Sequence, residues 1–84
     1  MANNMSTDGV RAAFGSASID GSYNAEIAGV RFELYWDDQD PSNEGWWLRC
    51  VYANGHEDGY PVDGDTDRPD WADVARAVSG ATRG

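Results

Sequence analysis

The stretch Val30–Asp37, VRFELYWD, has a period of two: Val30, Phe32, Leu34 and Trp36 alternate with Arg31, Glu33, Tyr35 and Asp37. Alternation of this kind puts one set of side chains on each face of a β-strand, an apolar set toward a core and a mostly charged set toward water. A second run, WWLRCVYA at 46–53, sets Trp46, Leu48, Cys50 and Tyr52 against Trp47, Arg49 and Val51. Both of its faces carry bulk, so a central place in the sheet is expected. Gly29 permits a tight reversal before the first run, and Asn54-Gly55 marks a hairpin after the second. Asp20-Gly21 signals a turn ahead of a strand over 23–28. YPV at 60–62 reads as a short edge strand, where Pro61 is tolerated.

The period changes near the two ends of the sequence. Val10, Ala13 and Phe14 share one face of a helix expected over 8–14, capped by Thr7 or Asp8 and stopped at Gly15. Trp71, Val74, Ala75 and Val78 stand at i, i+3, i+4 and i+7, with Pro69 suited to that helix's first turn and Gly80 to its end. Trp71 is expected in the core, because its spacing partners are all aliphatic. Residues 1–6 read as a loose start, and MANNMSTDG has neither the basic region nor the apolar core of a signal peptide. The 84 residues allow one domain with one core. The expected fold is α+β: a small antiparallel meander of three to four strands, flanked by an N-terminal and a C-terminal helix on one face.

Charge restricts the partners. Fifteen carboxylates face six arginines with no lysine, for a net charge of −9. Nucleic acid and anionic membrane surfaces repel such a chain, which leaves a basic protein surface or a cation as an electrostatic partner. No apolar run approaches the roughly 20 residues of a membrane span. A lone cysteine, Cys50, forms no internal disulfide, so a reducing cytosol is the simplest compartment and a cytoplasmic location is expected.

The segment VDGDTDRPDWAD at 62–73 first suggests calcium, because Asp63, Asp65 and Asp67 are spaced by two. An EF-hand loop opening at Asp63 needs glycine at its sixth position and glutamate at its twelfth, where this chain has Arg68 and Val74. A looser divalent-cation site on DGDTD stays open as an alternative function. Zinc lacks ligands, since His56 and Cys50 are single and a closed site takes four. No cofactor is expected. No catalytic role falls to any residue either: Cys50 lies in a strand as a small core residue, His56 has acids beside it but no nucleophile, and fifteen carboxylates single out no pair. No phosphate loop, nucleophile elbow or dinucleotide fingerprint occurs. The expectation is a protein that is not an enzyme.

Placement of the acids carries more information. Glu33, Asp37, Asp38, Asp40 and Glu44 fall in one window, and Glu57, Asp58, Asp63, Asp65, Asp67, Asp70 and Asp73 in another that contains Arg68 alone as a cation. Spread evenly, the acids would put only two or three on a footprint of roughly 800 Å²; adjoining windows would put several more there. Alternate residues of an extended chain lie roughly 6.5 to 7 Å apart, so rows of Asp approximate the phosphate spacing of a nucleic-acid strand, about 3.4 Å along the axis and longer along its path. Confining like charges costs stability, and that cost invites a functional explanation. Trp47 or Tyr60, if exposed, would add contact area at such a surface. The competing explanation is a structural or assembly protein whose acids are a solvated surface set by salt adaptation or GC-rich coding.

In size, in acidity and in the segments WDDQDPSNEG and EDGYPVDGDTDRPDWAD, the whole chain resembles small phage-encoded anti-CRISPR proteins that act as DNA mimics. Among these it looks most like inhibitors of type I effector complexes, type I-C included. The resemblance implies an inhibitor that binds a subunit of a CRISPR–Cas effector in the host cytosol, blocks target DNA from entering a positively charged channel, and touches neither nucleic acid nor membrane itself.

Overall fold

In the computed structural model, which describes residues 6–39, 42 and 44–82, the alternating run is a strand over its whole length. The chain runs α1 (Thr7–Phe14), β1 (Tyr23–Ile27), β2 (Val30–Asp37), β3 (Gly45–Val51), β4 (Glu57–Val62), β5 (Gly64–Asp65), β6 (Arg68–Pro69) and α2 (Trp71–Thr82). Strands β1 to β4 form one antiparallel sheet in sequence order, so β2 and β3 are central and Pro61 lies on the edge strand β4. The fold is α+β, with helices before and after the sheet, as the periodicities predict.

Phe32, Leu34, Leu48 and Cys50 of the inward rows meet Val10 and Phe14 of α1 and Val74, Ala75 and Val78 of α2 in one core. Six of these side chains (Val10, Leu34, Leu48, Cys50, Val74 and Val78) are wholly shielded from water. An aromatic layer closes one side: Trp71 packs on Phe14 and Tyr23 with ring centroids 5.7 and 5.1 Å apart, and Trp46 meets Trp36 at 5.8 Å. Trp71 is half-buried against this core, as expected from its helical spacing.

Several local expectations are corrected. The cap of α1 is Ser6, whose hydroxyl accepts the Gly9 N–H at 3.0 Å, rather than Thr7 or Asp8; Ala13 is exposed. β1 ends at Ile27 because Ala28 and Gly29 both have positive φ (53° and 81°), the twist required of a two-residue hairpin turn, which removes Ala28 from the strand. β4 begins three residues before YPV, at Glu57, because the turn around Asn54-Gly55 brings it into register with β3 from its first residue. Pro69 is not the first residue of α2: it pairs with Gly64 in the small β5–β6 hairpin. Asp70 precedes the helix instead, its carboxylate accepting the Ala72 N–H at 3.1 Å. Gly80 does not end α2, which continues to Thr82, where the Thr82 hydroxyl donates back to the Val78 carbonyl at 2.8 Å. Among the described residues no helix is long and apolar enough to cross a membrane.

Candidate functional site: an acidic end of the sheet

Register determines which acids meet. Asp37 pairs with Gly45 at the end of β2, while Trp46 and Trp47 pair with Val62 and Pro61 at the end of β4. The tail of the first acidic window and the middle of the second are thereby brought to one end of the sheet. Asp37, Glu44 and Asp63 line a single hollow of about 400 Å³ there, with Trp47 and Pro61 as its apolar wall. The β5–β6 hairpin, which carries Asp65 and Asp67, is fastened to the same end by the Trp46 indole, whose Nε1–H donates to the Asp65 carbonyl at 2.7 Å.

The two windows do not coincide throughout. Glu57 and Asp58 begin β4, at the far end of the strand from Asp63, a span of about 20 Å in extended chain. Glu33 lies mid-sheet as the register partner of Arg49. The row Asp63, Asp65, Asp67 is not one extended run, because the chain turns back at Thr66 and Asp67. The expected strand-like ladder of aspartates is therefore replaced by a hairpin that presents Asp65 and Asp67 on its short arm and tip. Asp40 lies outside the described residues.

Electrostatic compensation divides the acids further. Arg49 reaches Glu57 at 2.7 Å and Glu33 at 3.6 Å, and Arg76 holds Asp73 at 2.6 Å. Asp58 stands 3.4 Å from the His56 ring. Asp73 also accepts the Asp63 N–H at 2.9 Å, Asp70 caps α2, and Asp37 accepts the Gln39 N–H at 3.2 Å. Asp38, Glu44, Asp63, Asp65 and Asp67 make no side-chain ion pair or hydrogen bond among the described residues, and all five are exposed. Carboxylates matched by guanidinium groups thus lie on β2, at the start of β4 and on α2, while five unmatched ones lie at the end of the sheet and on its hairpin, where Arg68 is the register partner of Asp65. Asp8 of α1 and Glu26 of β1 are exposed and unmatched as well.

Trp47 points to the face of the sheet opposite the helices and is half-buried. Tyr60 does not join it: it turns inward and packs against the core, beside Tyr52. Burial first, then a hydrogen bond with Tyr60, holds the Tyr52 phenol well above its ordinary range. Tyr35 lies on the Trp47 face, and partial burial with the nearby charges of Asp37 and Glu33 raises its phenol too. Cys50 is fully buried, and its thiol is pushed up to about 11, chiefly by that burial and secondarily by Asp58. A protonated, inaccessible thiol is a poor nucleophile.

Among the described residues no three His, Cys, Asp or Glu side chains stand close enough to share a metal ion. Asp63, Asp65 and Asp67 form no such group. Sequence reasoning missed Gly59 and the Trp46 indole: Trp47 rests against the first, and the second anchors the acidic hairpin. Neither carries a sequence signal, because both roles depend on cross-strand neighbours. Comparison with protein-family models, with curated proteins and with solved structures gives no match.

Proposed function

We propose that this chain is a non-enzymatic inhibitor that occupies a lysine- and arginine-lined nucleic-acid site on a partner protein, its carboxylates standing in for phosphates. One observation carries the reading: Asp38, Glu44 and Asp63 at one end of the sheet, and Asp65 and Asp67 on the hairpin fastened to that end, are all exposed and without an ion pair among the described residues. Unpaired like charges held together on short, pinned segments weaken folding, and a basic surface would relieve that cost on binding. The sequence resemblance makes the partner a type I CRISPR–Cas effector complex, type I-C in the first instance, with target DNA as the displaced ligand.

A guide-loaded type I-C effector and a labelled target duplex provide the test. Added protein should abolish the shifted duplex band, and Asp38→Lys combined with Asp65→Lys should restore it. Affinity for the effector should fall at least about tenfold as salt rises from about 0.05 to about 0.2 M. Duplex binding that persists at a large excess of protein, or complex formation indifferent to salt, would reject the proposal.

A further inference from the structure

Both helices cover one face of the sheet, and no described element packs on the other. Across that open face Tyr35, Trp47 and Pro61 stand in register on three neighbouring strands, forming an apolar row from β2 to β4. Trp47 contributes nothing to the core cluster. Its indole leans over β4 until a Cβ at Gly59 would lie 2.5 Å from Cζ2 and 2.6 Å from Nε1. A large aromatic left half in water on a face that no described element covers is the kind of residue that anchors an interface. The row runs directly into the hollow of about 400 Å³ where Asp37, Glu44 and Asp63 lie, and no arginine or histidine lines that hollow.

We propose that this edge of the open face seats an arginine side chain of a protein partner, its guanidinium against the Trp47 indole and its N–H groups toward the surrounding carboxylates. The chemistry of the walls selects this occupant. An indole attracts a cation through its electron-rich face, and carboxylates accept the forked donors of a guanidinium. Guanidinium is planar and weakly hydrated, so it stacks on a ring while keeping its ion pairs; a lysine ammonium is compact, keeps its water, and gains mainly from the carboxylates. Pro61 presents no N–H at this point on the edge strand, so an extended segment gains no main-chain donor there and side-chain contacts dominate. A second copy of this chain would bring its own −9 charge and be repelled. The inference rests on the proposed basic partner and adds to it a defined anchor that long-range charge alone would not supply.

Titration of the full chain with nona-arginine and with nona-lysine, each at about 0.15 M salt, tests it by following the Trp47 indole N–H resonance and the dissociation constants. Nona-arginine should bind about threefold to tenfold more tightly and move the Trp47 signal. Trp47→Leu, which keeps an apolar side chain but no aromatic face, should bring the two peptides to parity without altering the salt dependence, and Trp47→Phe should retain part of the preference. Native amide spectra of both variants would show that the fold is intact; should the Leu variant lose it, Trp47→Phe gives the second reading, a preference for nona-arginine reduced below that of wild type with nona-lysine affinity unchanged. Equal affinities for the two peptides, or a preference that survives Trp47→Leu, would overturn the arginine seat while a steep salt dependence left the basic-partner reading standing. Failure of either peptide to bind at low salt would sink both.

Discussion

The Trp46 indole N–H donates to the main-chain carbonyl of Asp65 at 2.7 Å, joining the end of the central strand β3 to a hairpin of two-residue strands that could not stand alone. Trp46 is buried between Tyr23 and Trp36, so its donor is fixed in direction. Trp46→Phe removes that donor and part of the ring, and should cost about 2 kcal/mol, divided between the hydrogen bond and the lost burial. Amide exchange across residues 64–69 should accelerate beyond what the global loss explains. A variant with uniform acceleration would show that the hairpin holds itself.

Self-repulsion should be visible as a salt effect on folding. With net charge −9 and five exposed acids unpaired at one end, screening stabilises the folded chain more than it weakens the exposed Arg49 pairs. Melting temperature should rise by a few degrees, on the order of 1 kcal/mol, between about 0.05 and about 0.5 M sodium chloride. Asp38→Asn with Asp65→Asn should flatten that rise. A melting temperature that falls with salt would mean that the ion pairs dominate.

Asp70 separates a structural acid from the unpaired ones. Its carboxylate accepts the Ala72 N–H, while its carbonyl takes the N–H groups of Asp73 and Val74 at 3.0 Å. Asp70→Ala should cost about 1 kcal/mol in chemical denaturation, and Asp70→Asn only a few tenths, because a neutral oxygen caps nearly as well. Equal losses in the two variants would show that charge at the helix start matters more than the cap.

The large elements were legible for a simple reason. VRFELYWD and WWLRCVYA each keep a period of two long enough to fix both strand and facing, and Trp71, Val74, Ala75 and Val78 keep the helical period. Elements shorter than one period leave no such trace. The β5–β6 hairpin has two residues per strand, so Pro69, which pairs with Gly64, reads instead as a helix start. The acidic site was half legible. Composition and windowing found the acids, but which ones meet is decided by the pairings Asp37 with Gly45 and Trp46 with Val62, and these are long-range. The run Asp63, Asp65, Asp67 misled, since a spacing of two means a row only while the chain stays extended.

Cys50 makes stability depend on alkaline pH. Burial holds its folded thiol at about 11, against 9.0 for the free group. Below 9 both states are protonated and the contribution is intact; between 9 and 11 the unfolded thiol ionises while the folded one does not, so stability is lost as pH rises. The advantage of wild type over Cys50→Ala in urea should therefore shrink across that window. Thiol reagents at lower pH should label Cys50 only at the rate of unfolding. Rapid labelling of the native protein would contradict the burial.

Gly59 and Trp47 form a pair that a double-mutant cycle can isolate. A methyl group at Gly59 would meet the indole at 2.5 to 2.7 Å, well inside contact distance, so Gly59→Ala must displace the ring or the strand. On its own it should cost about 1 to 2 kcal/mol by overpacking. With Trp47→Ala already in place the clash is gone, and the same change should be neutral or stabilising by up to about 1 kcal/mol, because alanine loses less backbone entropy than glycine in a strand. The coupling between the two sites should then exceed about 1 kcal/mol. Because Gly59→Ala moves the indole without removing it, the variant should also lose the arginine preference while keeping all of its acidic groups. Additive effects of the two substitutions would mean that Trp47 does not rest on Gly59, and that its position over β4 is set elsewhere.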